Sequence, residues 1–303
     1  MIVFLLAWLN APPALASHRP IAVTDDTGAR ITLAQPAQRI ISLSPNLTEL
    51  LYSAGAGSRL VGTVQWSDFP KAALTIPRVG NTYNLDLEKI VQLRPDLVVA
   101  WRSGNNPQGL EELRRLGFPL YVSEPRSLAA IGTTIVRLGI LSGTRATADR
   151  AAAAYAQRLR ALKTGYSHRR SVSVFYQIWN RPMFTVNRKH VISDVINLCG
   201  GHNVFARLDT LSPRIGVEAV LAEDPQVIVA SGIDAGRPAW LNDWRQWPSL
   251  NAVRHGLLFS IPPDFIQRDT VRILQGAAMM CRDLDKARMR LRGAAAGARD
   301  HSG

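Results

Sequence analysis

At 303 residues the chain is long enough for two domains of ordinary size, since single cores stop growing near about 250 to 300 residues. Its 47% apolar content is that of a globular protein, which excludes an overall disordered chain. The formal net charge of +13 would suit nucleic acid or an anionic surface. The Lys and Arg are scattered, however, except in the tail KARMRLRGAAAGARD, so the basic surface reads as a solvated one and no nucleic-acid partner is expected.

Ile2 to Leu9 is an apolar run, Pro12 and Pro13 break it, and Ala14-Leu15-Ala16 has the small-x-small form of a cleavage site. Residues 1–16 are therefore expected to be a secretory signal peptide cut after Ala16. A transmembrane anchor needs about 18 apolar residues, more than this run supplies. No Cys follows the cut to carry a lipid, and a basic n-region is missing, which points to a natural start upstream of Met1.

Ile21 to Leu33 alternates around Asp25-Asp26-Thr27-Gly28, which predicts a leading hairpin within residues 17–36. A first lobe follows over residues 37–126. Arg39 to Leu43 reads as a buried strand, Ser44 caps a helix with Pro45 at its first position, and Leu60 to Val64 is a second strand. It runs into the polar and aromatic loop Gln65-Trp66-Ser67-Asp68-Phe69-Pro70.

Glu88 to Ala100 reads EKIVQLRPDLVVA, and 130 residues later Glu218 to Ala230 reads EAVLAEDPQVIVA. In each copy a Glu opens a short helix, Pro95 or Pro225 stops it, and a β-branched apolar run follows with the character of a strand buried in a parallel sheet. A helix feeding a buried strand twice points to two α/β lobes of similar build, although any two α/β units can share such a pattern by chance.

Leu110 to Leu116 and Pro119 to Val122 complete the first lobe as helix and strand. Leu128, Ile131, Ile135 and Leu138 share one helix face, and residues 127–145, lying between the copies, are expected to connect the lobes. The second lobe spans residues 146–285. It holds a helix over Ala146 to Lys163, a strand over Ser171 to Tyr176, a helix over His190 to Cys199 ended by Gly200-Gly201, a last strand over Leu257 to Ile261, and a loop Pro262-Pro263-Asp264-Phe265 leading to a C-terminal helix. Residues 286–303 are expected to be a disordered basic tail.

Cys199 and Cys281 are the only cysteines. Export favours a disulfide between them, worth on the order of 4 kcal/mol for a loop of 82 residues, with two buried thiols as the alternative. The six histidines form no HxH or HExxH pair, so no metal site is expected, and no GxSxG, Walker or GxGxxG motif follows a strand. No catalytic set assembles, which favours a binder over an enzyme.

In an open parallel sheet, ligands sit outside the carboxyl ends of the strands. The loops there offer Trp66, Asp68, Tyr83, Trp101, Arg102, Asn105, Asp264, Phe265 and Arg268, flat aromatic surface with a few polar groups, suited to a large and partly apolar ligand. Core packing is the competing role for each aromatic, above all for Phe265 and Tyr83.

RIISLSPNLTELLYSAGAG, the loop WSDFP, the run VGNTYNLDLEKIVQLRPDLVVAWRSGN, and NLCGGHNVF with a downstream AAMMC resemble the substrate-binding proteins of cobalamin ABC importers. The wider group, similar in the DDTG hairpin and the LEKIVQLRPDLV run, also binds haem and ferric siderophores. The resemblance implies two Rossmann-like lobes with parallel-sheet cores, joined by a single long helix, with little hinge motion and the ligand cleft between them. It places corrinoid contacts on Trp66, Trp101 with its following Arg-x-Gly-Asn, Asp264 and Arg268, and permease-docking acids on Glu88 and Glu218. It pairs Cys199 with Cys281. Where close cobalamin binders carry tryptophans, this chain has Thr82 beside Tyr83 and Ser212-Pro213.

The expected protein is thus a monomeric, periplasmic, non-enzymatic solute-binding protein without a cofactor of its own, which captures cobalamin and delivers it to an ABC permease dimer. A haem or siderophore binder is the alternative within the class. A secreted α/β enzyme using Asp68 or Asp264 is a weaker one outside it.

Overall fold

The computed structural model describes residues 20–232 and 236–300. The expected leader and its cleavage point lie outside these residues. Strands β1 (Ile21–Thr24) and β2 (Arg30–Leu33) pair antiparallel, as the hairpin reading requires. Asp25 closes their turn by accepting from Thr27 N at 2.8 Å and Ala29 N at 3.0 Å, and its other oxygen accepts from Val122 N at 3.1 Å. The hairpin is thereby fastened to the first lobe.

That lobe contains β3 (Ile40–Ser42), α1 (Pro45–Ser53), β4 (Leu60–Thr63), α2 (Leu87–Gln92), β5 (Leu97–Trp101), α3 (Pro107–Arg115) and β6 (Leu120–Ser123). Ser44 caps α1 through Leu47 N, and Pro45 occupies its first turn, where a missing N–H costs nothing. Helices α4 (Leu128–Leu141) and α5 (Arg145–Tyr166) follow. The second lobe holds β7 (Val172–Gln177), α6 (Val191–Leu198), β8 (Gly201–Asn203), α7 (Val217–Glu223), β9 (Val227–Ala230), α8 (Asn251–Arg254), β10 (Leu258–Ser260), α9 (Pro263–Ile266) and α10 (Ile273–Asp300).

Each lobe is built on a four-stranded, all-parallel sheet, ordered β4-β3-β5-β6 in the first and β10-β9-β7-β8 in the second. Counted within their own lobes, both sheets read 2-1-3-4. The two copies of the repeat supply the third strand of each, β5 and β9, with LVVA and VIVA buried at every residue. The duplication seen in thirteen residues therefore extends to the topology of the whole lobe.

The apolar packing explains how the lobes are held. One cluster covers an outer face of the first sheet around Ile41, Val98 and Leu113, and another covers the second sheet around Phe175, Ile228 and Trp244. The third is shared: it runs from Ile40 and Leu47 through Ile131, Ile135 and Tyr155 to Val174, Ile196 and Met280. The lobes thus have one core in common, and separating them would expose it to water.

The structure adds detail to the connection between the lobes and modifies three expectations. Between the sheets the chain forms a helical hairpin. A side chain at Gly139 would strike Ala148, so the helices approach closely, and Tyr155 Oη donates to Leu128 O at 2.9 Å across the pair. Residues 127–145 supply α4, while α5 makes the longer traverse, starting where Thr144 Oγ1 donates to Ala54 O in the first lobe and running about 33 Å at helical rise. Gly201, read only as part of the Gly200-Gly201 helix terminator, opens the edge strand β8 (Gly201–Asn203). Pro263–Ile266 is a single helical turn rather than a loop. The expected disordered tail is helical as far as Asp300, because α10 continues through its alanine- and arginine-rich residues, which are good helix formers.

Cys199, at the C-cap of α6, is bonded to Cys281 on α10. The link closes a loop of 82 residues and staples the last helix to its lobe. Replacing both cysteines with serine is expected to lower unfolding free energy by about 2 to 5 kcal/mol, read as a reduced denaturant midpoint at unchanged slope.

Candidate ligand-binding site

The carboxyl ends of both sheets face a cleft between the lobes. A cavity of about 350 Å³ opens there, walled by Trp101, Glu124 and Arg126 of the first lobe, by Ile178, His190 and Leu211 of the second, and by Gln267 and Asp269 from the segment joining α9 to α10. Its first wall stands where the strand order reverses, between β3 and β5, the place at which such sheets bind ligands.

Trp101 ends β5, and two neighbours set its position. A side chain at Gly104 would come within 1.8 Å of the indole, so only glycine lets the ring lie along this turn. Asn105 Oδ1 accepts from Trp101 N at 2.7 Å. Asn105 Nδ2 donates to Leu43 O at 2.8 Å and Thr82 O at 2.7 Å. Asn105 is 4% exposed and its amide is fully engaged, so it is a staple between three loops rather than a free ligand contact. The Trp101 Nε1–H is buried and has no partner among the described residues. Arg102 is exposed and does not line the cavity.

Asp68, Asp264, Phe265 and Arg268 come together, but around a group that the sequence reading missed. Glu49 on α1, only 2% exposed, receives Arg268 Nη1 at 3.0 Å, Arg272 Nε at 2.9 Å and Arg272 Nη2 at 2.6 Å. Arg268 also bridges to Asp68 at 2.9 Å and Asp264 at 3.2 Å. Arg272 lies 4.1 Å over the Phe69 ring and 5.7 Å from that of Phe265. Burial pulls the Arg268 guanidinium down, yet the hydrogen bonds it donates to Asp68 and Glu49 outweigh it and hold the group above its ordinary value. The cluster is an ion-pair link between lobes, with Asp68 and Asp264 on its exposed side. Glu49 was concealed because its helix is buried on all sides, so its position in the periodicity gave no sign of a partner.

Trp66 and Tyr83 do not line the cavity; they stand at 77% and 62% exposure on first-lobe loops that follow β4. Trp66 adopts φ 66°, a conformation unfavourable for a bulky residue, and its carbonyl accepts from Arg268 Nη2 at 3.4 Å. Glu88 and Glu218 lie in the first turns of α2 and α7, both exposed, each on the helix that feeds the third strand of its sheet. Neither joins an ion pair among the described residues.

The model for the family described as "Periplasmic binding protein" matches residues 40–265. The chain belongs to that family. It is 38% identical over 249 residues to the vitamin B12-binding protein of Vibrio cholerae serotype O1, covering 81% of this chain and 88% of that one. The crystal structure of the periplasmic vitamin B12 binding protein BtuF of Vibrio cholerae superposes with a TM-score of 0.77 at 37% identity, over 84% of this chain and 98% of that one. The periplasmic heme-binding protein RhuT from Roseiflexus sp. RS-1 gives 0.72 at 21% identity, over 83% and 99%, a likeness of fold alone. Among the described residues no helix is long and apolar enough to cross a membrane, and no cluster of acids, histidines and cysteines is arranged to hold a metal.

Exchanging Glu49 for glutamine would take from two guanidinium groups the one buried carboxylate they share, leaving them only the half-exposed Asp68 and Asp264. Such losses cost about 3 to 5 kcal/mol, so the E49Q variant is expected to unfold at much lower urea concentration; a change under about 1 kcal/mol would show that the cluster contributes little.

Proposed function

We propose that this protein captures a corrinoid in the interlobe cleft and presents it to an ABC permease, the two lobes docking through Glu88 and Glu218. The observation that carries the ligand assignment is Trp101, which walls the cavity at the carboxyl end of β5 and whose buried indole N–H has no partner among the described residues. The identity shared with vitamin B12-binding proteins along most of the chain supports the same reading. The edge of a large planar ligand enters the cavity, and Trp66 and Tyr83 cover its outer part with apolar surface. Tyr83 thereby does the work of one of the two rings absent at Thr82 and Ser212. Binding of this kind needs burial and hydrogen bonds and no chemical step. Export places the chain in the periplasm, where the permease partner is met.

Glu88 and Glu218 suit docking because the equivalent topology of α2 and α7 presents two unneutralised carboxylates, one per lobe, for a pair of cationic side chains. Their separation is fixed by the common core. Gly216 before α7 leaves room for the Glu218 carboxylate to fold over the helix start, where the backbone N–H groups favour it.

Titrating the purified protein with cyanocobalamin tests the ligand. Trp101→Ala is expected to weaken binding by about 10-fold or more, as loss of a buried aromatic contact does; no binding heat, or equal affinity in the variant, would defeat the reading. A haem-loaded protein would instead declare itself by its visible absorption. The docking role predicts that reversing charge at both Glu88 and Glu218 abolishes uptake in cells while leaving cyanocobalamin affinity intact. A fall in affinity would show that these acids serve the cleft instead.

A further inference from the structure

Two acids line the cavity, one from each side of the cleft: Glu124 just beyond β6, and Asp269 between α9 and α10. Glu124 is held in place, Oε2 accepting from Ser103 N at 2.8 Å and Oε1 from Ser103 Oγ at 3.1 Å. Asp269 is different. It is 9% exposed, its carboxyl accepts no hydrogen bond among the described residues, and it joins no ion pair there. Buried polar groups are nearly always paired, so an unpaired carboxyl facing an open cavity is a contact awaiting its partner.

We infer that Asp269 and Glu124 form an acceptor pair for an uncharged N–H donor on the ligand, so that this cleft prefers a molecule fringed with primary amides to one fringed with carboxylates. The inference rests on the corrinoid reading above, since a corrinoid periphery carries amides while haem carries propionates. An amide N–H satisfies the Asp269 carboxylate. A ligand carboxylate would bring a third acid beside two buried ones.

The preference depends on pH through Asp269. Burial, and after it the charge of Glu124, pushes the Asp269 carboxyl up to about 8 in the empty cleft. Accepting an amide N–H favours the ionised form, so amide binding releases a proton and strengthens as pH rises toward 8. Other charged and titratable groups surround Asp269. His190 accepts from Ile192 N at Nδ1, and burial holds it down at about 4, so it stays neutral. Arg126 and Lys189 are exposed cations at the mouth. Tyr155 is turned to Leu128 O, with burial holding its hydroxyl far above the ordinary value, and Asp194 accepts from Leu128 N at 2.8 Å. Arg268 and Arg272 are committed to Glu49.

The test is calorimetric titration at about pH 6 and about pH 8.5 with cyanocobalamin and with its monocarboxylates, each having one peripheral amide hydrolysed. At the higher pH the wild type is expected to bind at least one monocarboxylate about 10-fold or more weakly than the parent, and parent affinity is expected to rise up to about 10-fold per pH unit below 8. Asp269→Asn, nearly isosteric, should flatten the pH response and narrow the gap to within about 3-fold, with Glu124→Gln acting in the same direction. Thermal melting confirms that both variants are folded. Wild type that takes no cyanocobalamin at either pH overturns the functional reading and the inference together. Wild type that binds it, while Asp269→Asn keeps both gap and slope, overturns the inference alone.

Discussion

Beside their shared core, the lobes of this protein are tied through one buried carboxylate. Glu49 leaves α1 of the first lobe and enters a pair of guanidinium groups standing at the root of α10 in the second. Such a contact supplies little net stability relative to a well-packed apolar replacement, because desolvating three charged groups offsets most of their attraction. What it supplies is definition. Hydrogen bonds to a buried charge tolerate little misalignment, so the two walls of the cleft are held at one spacing. The shared core behind them, threaded by α4 and α5, works in the same sense. A cleft fixed in this way meets its ligand preformed and avoids part of the ordering cost of binding.

From that fixed frame, the chemistry of the cleft follows from strand order. Both sheets reverse direction between their first and third strands, and the loops leaving those strands must diverge, opening a crevice. In the first lobe this crevice is furnished by Trp101, with Gly104 and Asn105 holding its ring. The second lobe fills the corresponding place from within: Trp244 Nε1 donates to Gln177 Oε1 at 2.8 Å, and Ser231 N donates to Gln177 O at 3.2 Å. Equivalent scaffolds thus present unequal surfaces, an aromatic wall on one side and a sealed polar corner on the other.

What could be read in the sequence, and what could not, divides along a physical line. The strands LVVA and VIVA, the Ser44-Pro45 helix start and the DDTG turn were all legible, because each depends on residues adjacent in the chain. The cysteine pair was legible because only one pairing exists. The edge strand β8 was hidden, since Gly-His-Asn has no strand propensity and forms a strand only by lying against β7. The candidate site was legible in outline. Trp101 belongs to the cavity, but Asn105 proved to be a structural staple, and Arg268 is paired 219 residues away with Glu49. No local pattern announces a partner at that distance. Glu124 and Asp269 went unnoticed for the same reason, because each looks like an ordinary surface acid until the fold buries it.

Trp66 and Tyr83 stand in water at the lip of this frame. A ligand that covered them would dry their faces, lowering the heat capacity of the whole molecule and removing the surface most apt to stick to other molecules. Empty and loaded forms then differ in wetness even with every strand in place. A partner touching this lip can sense whether the protein is loaded without sensing any change of shape.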